Sequence, residues 1–271
     1  MKPRLNVMEV IGAVMVLSLI TVALLAPLLA PHDPTMAVAP TFGDPGSPSR
    51  AFPLGTDQLG RDVLSRIIYG ARISLSVGVA AMVVTMTIGV AIGLVAGFFG
   101  GAVDFALMRF TDVMLTLPAL LLAMAFVAVL KPSLWSILLV IGLVSWTSIA
   151  RVVRAETLSL TQRDFVTAAR ALGAPSWRLI GRHVLPNVMP IIVVMAVLGT
   201  SGTLLLDAGL SFLGLGVPPP TPSWGRMVEE ATIYFRTAPW LATFPGLAIL
   251  YAVLGFNLLG YGYLRRRGRS A

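Results

Sequence analysis

The sequence predicts an all-α integral membrane protein with six transmembrane helices. Hydrophobic residues make up 56% of the 271 positions, charged residues make up 12%, and the mean hydropathy is +0.87. These values are too apolar for a water-soluble globular protein. An α-helix needs about 20 apolar residues to cross the hydrocarbon core, within a range of about 17 to 25. Six uncharged runs approach or exceed this length: Val10–Ala30, Ile73–Phe99, Val113–Leu130, Leu134–Ala150, Val188–Leu206 and Ala238–Leu264.

The residue inventory excludes several kinds of site. The chain has no cysteine, so it has no disulfide, no catalytic thiolate and no cysteine metal ligand. Its two histidines, His32 and His183, fall on opposite sides of the predicted membrane, and no metal cluster can be assembled. The net charge of +8 comes from arginines beside apolar spans, which is typical of membrane topology rather than nucleic-acid binding.

The charge distribution predicts that both termini lie in the cytoplasm. With that orientation thirteen Lys and Arg lie inside and seven outside, as the positive-inside rule requires. A cleaved signal peptide over Lys2–Ala30 is the alternative, although the apolar run is long for one and lacks a clean small-x-small site. The inside set is Lys2, Arg4, Arg109, Arg151, Arg154, Arg163, Arg170, Arg178, Arg182, Arg265, Arg266, Arg267 and Arg269.

Residues 31–72 are predicted to form an extracytoplasmic loop with one short helix. The loop is rich in Pro, Gly and Asp up to residue 57, and Thr56 or Asp57 can cap the helix after it. From Gly60 to Tyr69 apolar residues recur at helical spacing, and Asp62 and Arg66 are placed to pair at i,i+4. We expect an amphipathic helix on the outer surface that leads into the second span.

The second span carries a stripe of small residues. Gly89, Gly93 and Gly97 repeat every four residues on one face, a pattern that lets helix backbones approach closely. The stripe therefore predicts helix packing, either within the bundle or against a second subunit.

Polar residues mark the later spans. Asp104, Arg109 and Asp112 precede the third span and are expected to pair, or to bond to neighbouring loops, at the cytoplasmic interface. Asp207 just follows the fifth span and is expected at the opposite interface. The fourth span is short and should lie inside the bundle, because hydroxyl groups need partners there: Ser136, Ser145, Thr147 and Ser148.

The residues Asp164–Pro186, called the island, form a charged helix-break-helix in this apolar chain. Gly173 is expected in the left-handed position that ends a first helix, and Pro175 in the first turn of a second. Pro186 is expected to stop the second helix.

The second helix of the island is predicted to have two faces. Trp177, Ile180 and Val184 share one face, while Arg178 and Arg182 lie four apart on another. A basic face next to an apolar one, outside the membrane, indicates a docking surface for another protein.

The segment Ala208–Gly225 is broken by Gly and Pro, so it should be a rigid folded loop rather than a helix along its length. Trp224 on this loop suits a preformed surface facing outside. Docking of a partner and simple covering of the bundle both fit this pattern.

Two absences restrict the energy source for transport. The chain contains no G-x-x-x-x-G-K-[ST] motif, and the apolar runs contain no ionisable residue that could relay protons or couple ions. The chain is therefore a passive pore, a membrane anchor, or a pathway whose energy arrives through the island.

The island resembles the EAA loop of binding-protein-dependent ABC importer permeases. That pattern reads E-A-A, three residues, G, nine residues, then I-x-L-P, and here Thr167 stands at the Glu position and His183 at the Ile position. The matching residues are Ala168, Ala169, Gly173, Leu185 and Pro186.

Three further stretches resemble the C-type subunit of the dipeptide, oligopeptide and nickel permease branch. These stretches are Leu54–Leu75, Leu107–Pro118 and Leu210–Gly225, and the resemblance extends from residue 8 to residue 262. Tyr261 departs from the family pattern, which usually has an acidic residue between these two glycines, and the tail Arg265–Ala271 is short and basic.

The resemblance implies a type I ABC importer permease fold in a bacterial or archaeal inner (plasma) membrane. Residues 1–30 would form the cytoplasmic tail and first helix, residues 73–264 a five-helix core that includes the island, and residues 265–271 a basic cytoplasmic tail. Expected partners are a second homologous permease subunit in a heterodimer, two ATPase subunits or domains, an extracytoplasmic solute-binding protein and the lipid bilayer. The ATPases would bind ATP and Mg²⁺, while this chain would hold no cofactor and break no bond.

The resemblance also implies roles for particular residues. The solute would be a di- or oligopeptide, or a related solute such as nickel, an opine or haem, and a passive channel or a structural membrane subunit remain the alternatives. The binding-protein or outer-gate residues would be Asp57, Arg61, Asp62 and Trp224. The ATPase-coupling residues would be Ala168, Ala169, Arg170, Gly173, Trp177, Arg178, Leu185 and Pro186.

Overall fold

The computed structural model describes residues 6–40, 43–130 and 133–268. Within these ranges the regular structure is helical, apart from one isolated antiparallel bridge between Thr56 and Asp62. Four of the Lys and Arg residues counted for the membrane orientation lie outside the described residues: Lys2, Arg4, Lys131 and Arg269.

Five helices of the described chain are long and apolar enough to cross a membrane, and a bent pair makes a sixth crossing if it is counted as one. The α-helices are α1 (Val7–Leu24), α2 (Ala26–Leu29), α3 (Val63–Phe99), α4 (Gly101–Thr116), α5 (Ala119–Val129), α6 (Leu134–Thr161), α7 (Asp164–Ala171), α8 (Ser176–Arg178), α9 (Leu185–Phe212), α10 (Trp224–Ala231) and α11 (Trp240–Gly268). A π-helical segment, Leu179–Val184, joins α8 to α9, and a 3₁₀ turn, Thr232–Tyr234, follows α10.

The expected short helix at residues 60–69 is instead the start of α3, a correction to the sequence prediction. α3 has 37 residues and extends about 55 Å, well beyond a hydrocarbon core of about 30 Å. Its N-cap is Asp62, whose carboxylate accepts a hydrogen bond from the Ser65 amide at 3.1 Å, and not Thr56 or Asp57. No proline interrupts the segment, so the helix continues directly into the membrane span.

The expected third span is bent rather than straight. α4 and α5 meet at 88° across Leu117 and Pro118. Leu117 adopts an extended conformation (φ −92°, ψ 131°), as the residue before a proline prefers, and Pro118 has no amide hydrogen to continue the helix. The apolar run extends across this break, so hydropathy alone could not locate it.

α3 and α6 form a parallel, closely packed pair at the centre of the bundle. A Cβ atom at Gly89 would lie 2.8 Å from the carbonyl oxygen of Trp146, and one at Gly93 would lie 2.6 Å from that of Ala150. At Gly97 the same contact with Arg154 would measure 2.8 Å. The glycine stripe therefore packs inside this subunit, backbone against backbone, along three turns of α6.

α6 is well enclosed, as the sequence predicts for the fourth span. Ile137, Val140 and Ile141 are fully buried, and Ser136 and Thr147 are buried with them. Ser148 is exposed, so not every hydroxyl of this span faces the interior.

α1 packs against α11 so closely that a Cβ atom at Gly12 would lie 2.2 Å from the Leu259 nitrogen.

The bundle has two ends that differ in the residues they carry. The end that carries residues 164–186 is called the island end. The opposite end, formed by residues 31–40, 43–62 and 213–239, is called the network end.

Candidate functional site

The turn of the island folds as a Schellman motif around Gly173. Gly173 has φ +81°, a conformation that L side chains rarely adopt. Its amide donates to the Arg170 carbonyl at 3.0 Å, and the Ala174 amide donates to the Ala169 carbonyl at 3.1 Å. These two bonds satisfy the last carbonyls of α7, as the motif requires. The sequence prediction for Gly173 is confirmed.

Pro186 does not stop the second helix of the island, contrary to the sequence prediction. The Leu185 amide bonds to the Ile180 carbonyl, five residues back, in the π-helical segment. This wider turn precedes Pro186, which lies in the first turn of α9, where a missing amide hydrogen is tolerated. The helix is therefore continuous from Ser176 to Phe212.

The π-helical segment also changes which residues share a face. Leu179 and Val184, five residues apart, are buried together with Val166 of α7 and hold the island against the bundle. Trp177 is 70% exposed and does not share the buried face of Val184, so the predicted three-residue face is wrong. A spacing of 3.6 residues per turn does not apply within a π turn.

The island exposes apolar side chains at a polar end of the molecule. Leu172 is 89% exposed and Trp177 is 70% exposed, on either side of the Gly173 turn. The Arg178 guanidinium lies 5.2 Å from the Trp177 ring centroid, and Arg170 lies 5.6 Å from that of Phe98. Exposed Trp and Leu beside arginines are typical of an interaction surface.

The remaining coupling candidates lie around this surface. Ala168, Arg170 and Pro186 are exposed, while Ala169 and Leu185 are half-buried. Thr167, at the position of the family's Glu, bonds to the Asp164 carbonyl within its own helix at 3.0 Å. Because threonine is neutral, this position presents no charge to a partner.

Two ion pairs join α4 to α6 just before the island. Arg154 forms a two-bond pair with Asp104, and Arg151 donates to Asp112 at 2.7 Å. The expected pairing of both aspartates is confirmed, with helix α6 as the partner. Arg109 instead lies over the Phe105 ring, at 5.2 Å from its centroid.

The network end contains a group of ion pairs in which two buried arginines share the same two carboxylates. Arg61 donates to Asp57 at 2.6 Å and to Glu230 at 3.2 Å. Arg66 donates to the same two carboxylates, at 2.8 Å each. These four residues, together with Arg226 and Glu229, are called the charge network. Asp57, Arg61 and Arg66 are buried, and the network ties the long loop to α10.

Asp62 is buried and does not pair with Arg66, so that prediction is wrong. Its carboxylate accepts from the Ser65 hydroxyl at 2.6 Å and lies 3.3 Å from Nδ1 of His32. The i,i+4 prediction failed because Arg66 reaches Glu230, 164 residues away, which a local pattern does not show.

Trp224 is buried rather than exposed for docking. Its indole Nε1 donates to the Ile67 carbonyl at 3.0 Å, and its amide donates to the Ser74 hydroxyl at 3.1 Å. α9 includes the first residues of the expected loop, and Trp224 begins α10, a helix absent from the sequence prediction. Ser223, which caps α10 by accepting from the Arg226 amide, is the signal that could have located it. With Asp57, Arg61 and Asp62 also buried, none of the four outer candidates offers a surface in this conformation.

Asp207 lies inside α9, which continues five residues beyond it to Phe212. The residue is buried beside Ser74 and Trp224, and its Oδ1 atom has no hydrogen-bond partner among the described residues. Its expected position at the membrane interface stays a prediction.

Comparison with known proteins gives a consistent result. The sequence model of the family described as binding-protein-dependent transport system inner membrane component matches residues 89–268. The dipeptide transport system permease protein of Alkalihalophilus pseudofirmus is 40% identical over 95% of this chain and 84% of its own length. The di/tripeptide transport system permease protein of Pseudomonas aeruginosa is 44% identical over 93% and 84%, and the glutathione transport system permease protein of Pectobacterium atrosepticum is 41% identical over 93% and 84%.

Proposed function

The chain belongs to the family of binding-protein-dependent transport system inner membrane components, and from this premise we propose that it is a permease subunit of an ATP-driven importer of di- or oligopeptides. The proposal of peptides as the solute is supported by relatives whose names give dipeptides, tripeptides and glutathione as their cargo.

The exposed surface of the island is the observation that carries the coupling role. Leu172 and Trp177 project from a turn fixed by Gly173, at the end of the bundle where arginines concentrate. With the termini in the cytoplasm, this surface meets an ATPase subunit. The chain has no P-loop of its own, so the energy for transport has to enter through such a contact.

The continuous helix from Ser176 to Phe212 supports a direct mechanical link. When the ATPases close on ATP, a force on the island moves α9 without an intervening flexible loop. The partners in this mechanism are a second homologous permease subunit, two ATPase subunits or domains, and a solute-binding protein that delivers the peptide on the outer side.

Replacement of Trp177 by Ala tests the coupling role. The substitution is on an exposed side chain, so the free energy of unfolding should change by no more than about 0.5 kcal/mol. Loss of a central interface Trp costs about 2 kcal/mol or more, so peptide uptake and peptide-stimulated ATP hydrolysis should fall at least about tenfold. Both are measured on the full complex in proteoliposomes.

Trp135 provides the matched control, because it is 71% exposed but lies at the start of α6, at the opposite end of the bundle. Trp135→Ala should leave uptake and ATP hydrolysis near wild type. Equal losses in both variants, or no loss in Trp177→Ala, would reject the coupling role.

A transport assay separates the importer from a passive channel and from a structural subunit. Proteoliposomes with the complete complex and binding protein should accumulate a labelled dipeptide only when ATP is enclosed with the ATPases. Uptake that persists without ATP would indicate a channel, and no dipeptide flux with any combination of partners would indicate a structural role or a different solute.

A further inference from the structure

A groove at the island end lies apart from both the island and the charge network. It is an open space of about 480 Å³ lined by Met8 of α1 and by Tyr261, Leu264 and Arg265 of α11. The three α11 residues follow at i, i+3 and i+4, so they form one stripe along the helix, and Met8 lies opposite. Its walls are mostly apolar, with the phenol and the guanidinium as the polar groups.

The groove lies at the depth of the lipid headgroups. The segment Trp240–Arg266 has 27 residues and therefore extends about 40 Å, while the hydrocarbon core measures about 30 Å. Arg265 is at the end of this segment, so its guanidinium emerges from the core into the headgroup layer. Tyrosine is typical of the same layer, and Tyr261 is exposed there.

The charge in the groove is not balanced by the described part of the chain. Arg265 has a long contact of 3.8 Å with the Met8 sulfur, a weak acceptor, and no carboxylate of the described residues lies within ion-pair distance of it. The nearby Glu9 is occupied by Arg266, at 2.9 Å.

We infer that this groove binds an anionic phospholipid, with Arg265 paired to the phosphate of the headgroup. A guanidinium binds phosphate oxygens in a bidentate manner, and the Tyr261 hydroxyl lies on the same stripe as a second donor. Met8 and Leu264 contact the upper part of the acyl chains. An apolar wall beside an unbalanced cation at headgroup depth fits a lipid better than a soluble anion, which would gain nothing from Met8 and Leu264.

Lipid retention by the purified full-length chain tests this inference. The protein is equilibrated in detergent micelles with phosphatidylglycerol or with phosphatidylcholine of the same acyl chains, and bound lipid is counted by native mass spectrometry. Wild type should retain phosphatidylglycerol in preference. Arg265→Gln should lower that retention about fivefold, the contribution of one basic residue near an anionic membrane surface. Retention of phosphatidylcholine should fall less, because its choline cation offsets the charge of the phosphate.

Arg236→Gln is the matched control, since Arg236 is also exposed but lies at the network end. It should retain phosphatidylglycerol like wild type. Tyr261→Asp is a second test, because a carboxylate in the groove would repel the phosphate, whereas Tyr261→Phe removes a single hydroxyl and should have a smaller effect.

Three outcomes of the retention measurements would overturn the inference. They are equal retention of the two lipids by wild type, unchanged retention in Arg265→Gln and Tyr261→Asp, and an equal loss in Arg236→Gln. A further arm adds inorganic phosphate at millimolar concentration. If millimolar phosphate displaces phosphatidylglycerol completely from wild type, the apolar walls contribute nothing to binding and the groove is a site for phosphate as such, which also contradicts the inference.

Discussion

The two ends of the bundle use arginine in opposite ways. At the network end Arg61 and Arg66 are buried and each bridges the same pair of carboxylates, Asp57 and Glu230. At the island end Arg170 and Arg178 lie exposed over aromatic rings and have no ion-pair partner among the described residues.

At the network end charged groups are paired within the chain, whereas at the island end apolar groups are left exposed for another molecule to cover. The charge network pairs the opposite charges of its members within one chain, and it joins segments that are distant in sequence. The island leaves Leu172 and Trp177 in contact with solvent, which costs free energy unless a partner covers them. Substitutions at the network end should therefore change stability, and substitutions on the island surface should change activity.

The largest expected effect is at Arg66. Arg66→Ala leaves the buried Asp57 with one cation, Arg61, instead of two, and it leaves the half-buried Glu230 with Arg61 and Arg226 instead of three cations. Removing a partner from a buried ion pair costs about 3 to 5 kcal/mol. Thermal or denaturant unfolding of the purified chain in detergent measures this loss. Arg72→Ala, at an exposed position on the same helix, should cost about 0.5 kcal/mol or less. Similar values for the two variants would mean that the network end is not held by its buried charges.

The second prediction concerns the glycine stripe, which lies on the part of α3 nearer the island end. Gly93→Ala puts a methyl group 2.6 Å from the Ala150 carbonyl oxygen, and overpacking of this kind costs about 1 to 3 kcal/mol. Gly202→Ala in α9 meets no atom within 4 Å and should stabilise its helix by up to about 1 kcal/mol. The two unfolding measurements should therefore differ in sign. No loss of stability in Gly93→Ala would show that α3 and α6 can separate at little cost.

Local signals in the sequence predicted the turn of the island correctly, but they did not predict the course of its second helix or the contacts of the network end. Gly173 carries its own conformational requirement, so the turn could be placed from one residue. The partner of Arg66 is Glu230, and nothing in a local pattern relates residues that are 164 positions apart. The apolar run predicted that the fifth span ends at Leu206, whereas α9 continues to Phe212. Pro186 was read as a stop because sequence rules assume α-helical bonding, whereas a π turn precedes it.

Gly173 offers a third, smaller effect at the island. Gly173→Ala encounters no neighbouring atom, so its cost comes from the backbone at φ +81° alone, about 1 kcal/mol. Gly181, three residues into the π-helical segment, also has open space at its Cβ position but no positive φ, and Gly181→Ala should have no such cost. A difference between these variants in local hydrogen exchange of α7 measures the strain. Equal exchange rates would mean that the turn is not fixed by its left-handed residue.

The smallest expected effect is at the pair Arg151 and Asp112, which lies at the island end with side chains 51% and 45% exposed. Exposed ion pairs contribute about 0.2 to 1 kcal/mol, and salt screens them because water surrounds both groups. A double-mutant cycle with Arg151→Ala and Asp112→Ala, measured by unfolding at low and high salt, should give a coupling energy in this range that shrinks as salt is added. The buried pairs of the charge network should keep their coupling at high salt. If the Arg151 and Asp112 coupling exceeds this range and resists salt, the ion pairs of the island end are shielded from water as well as those of the network end. The contrast between the two ends would then not hold.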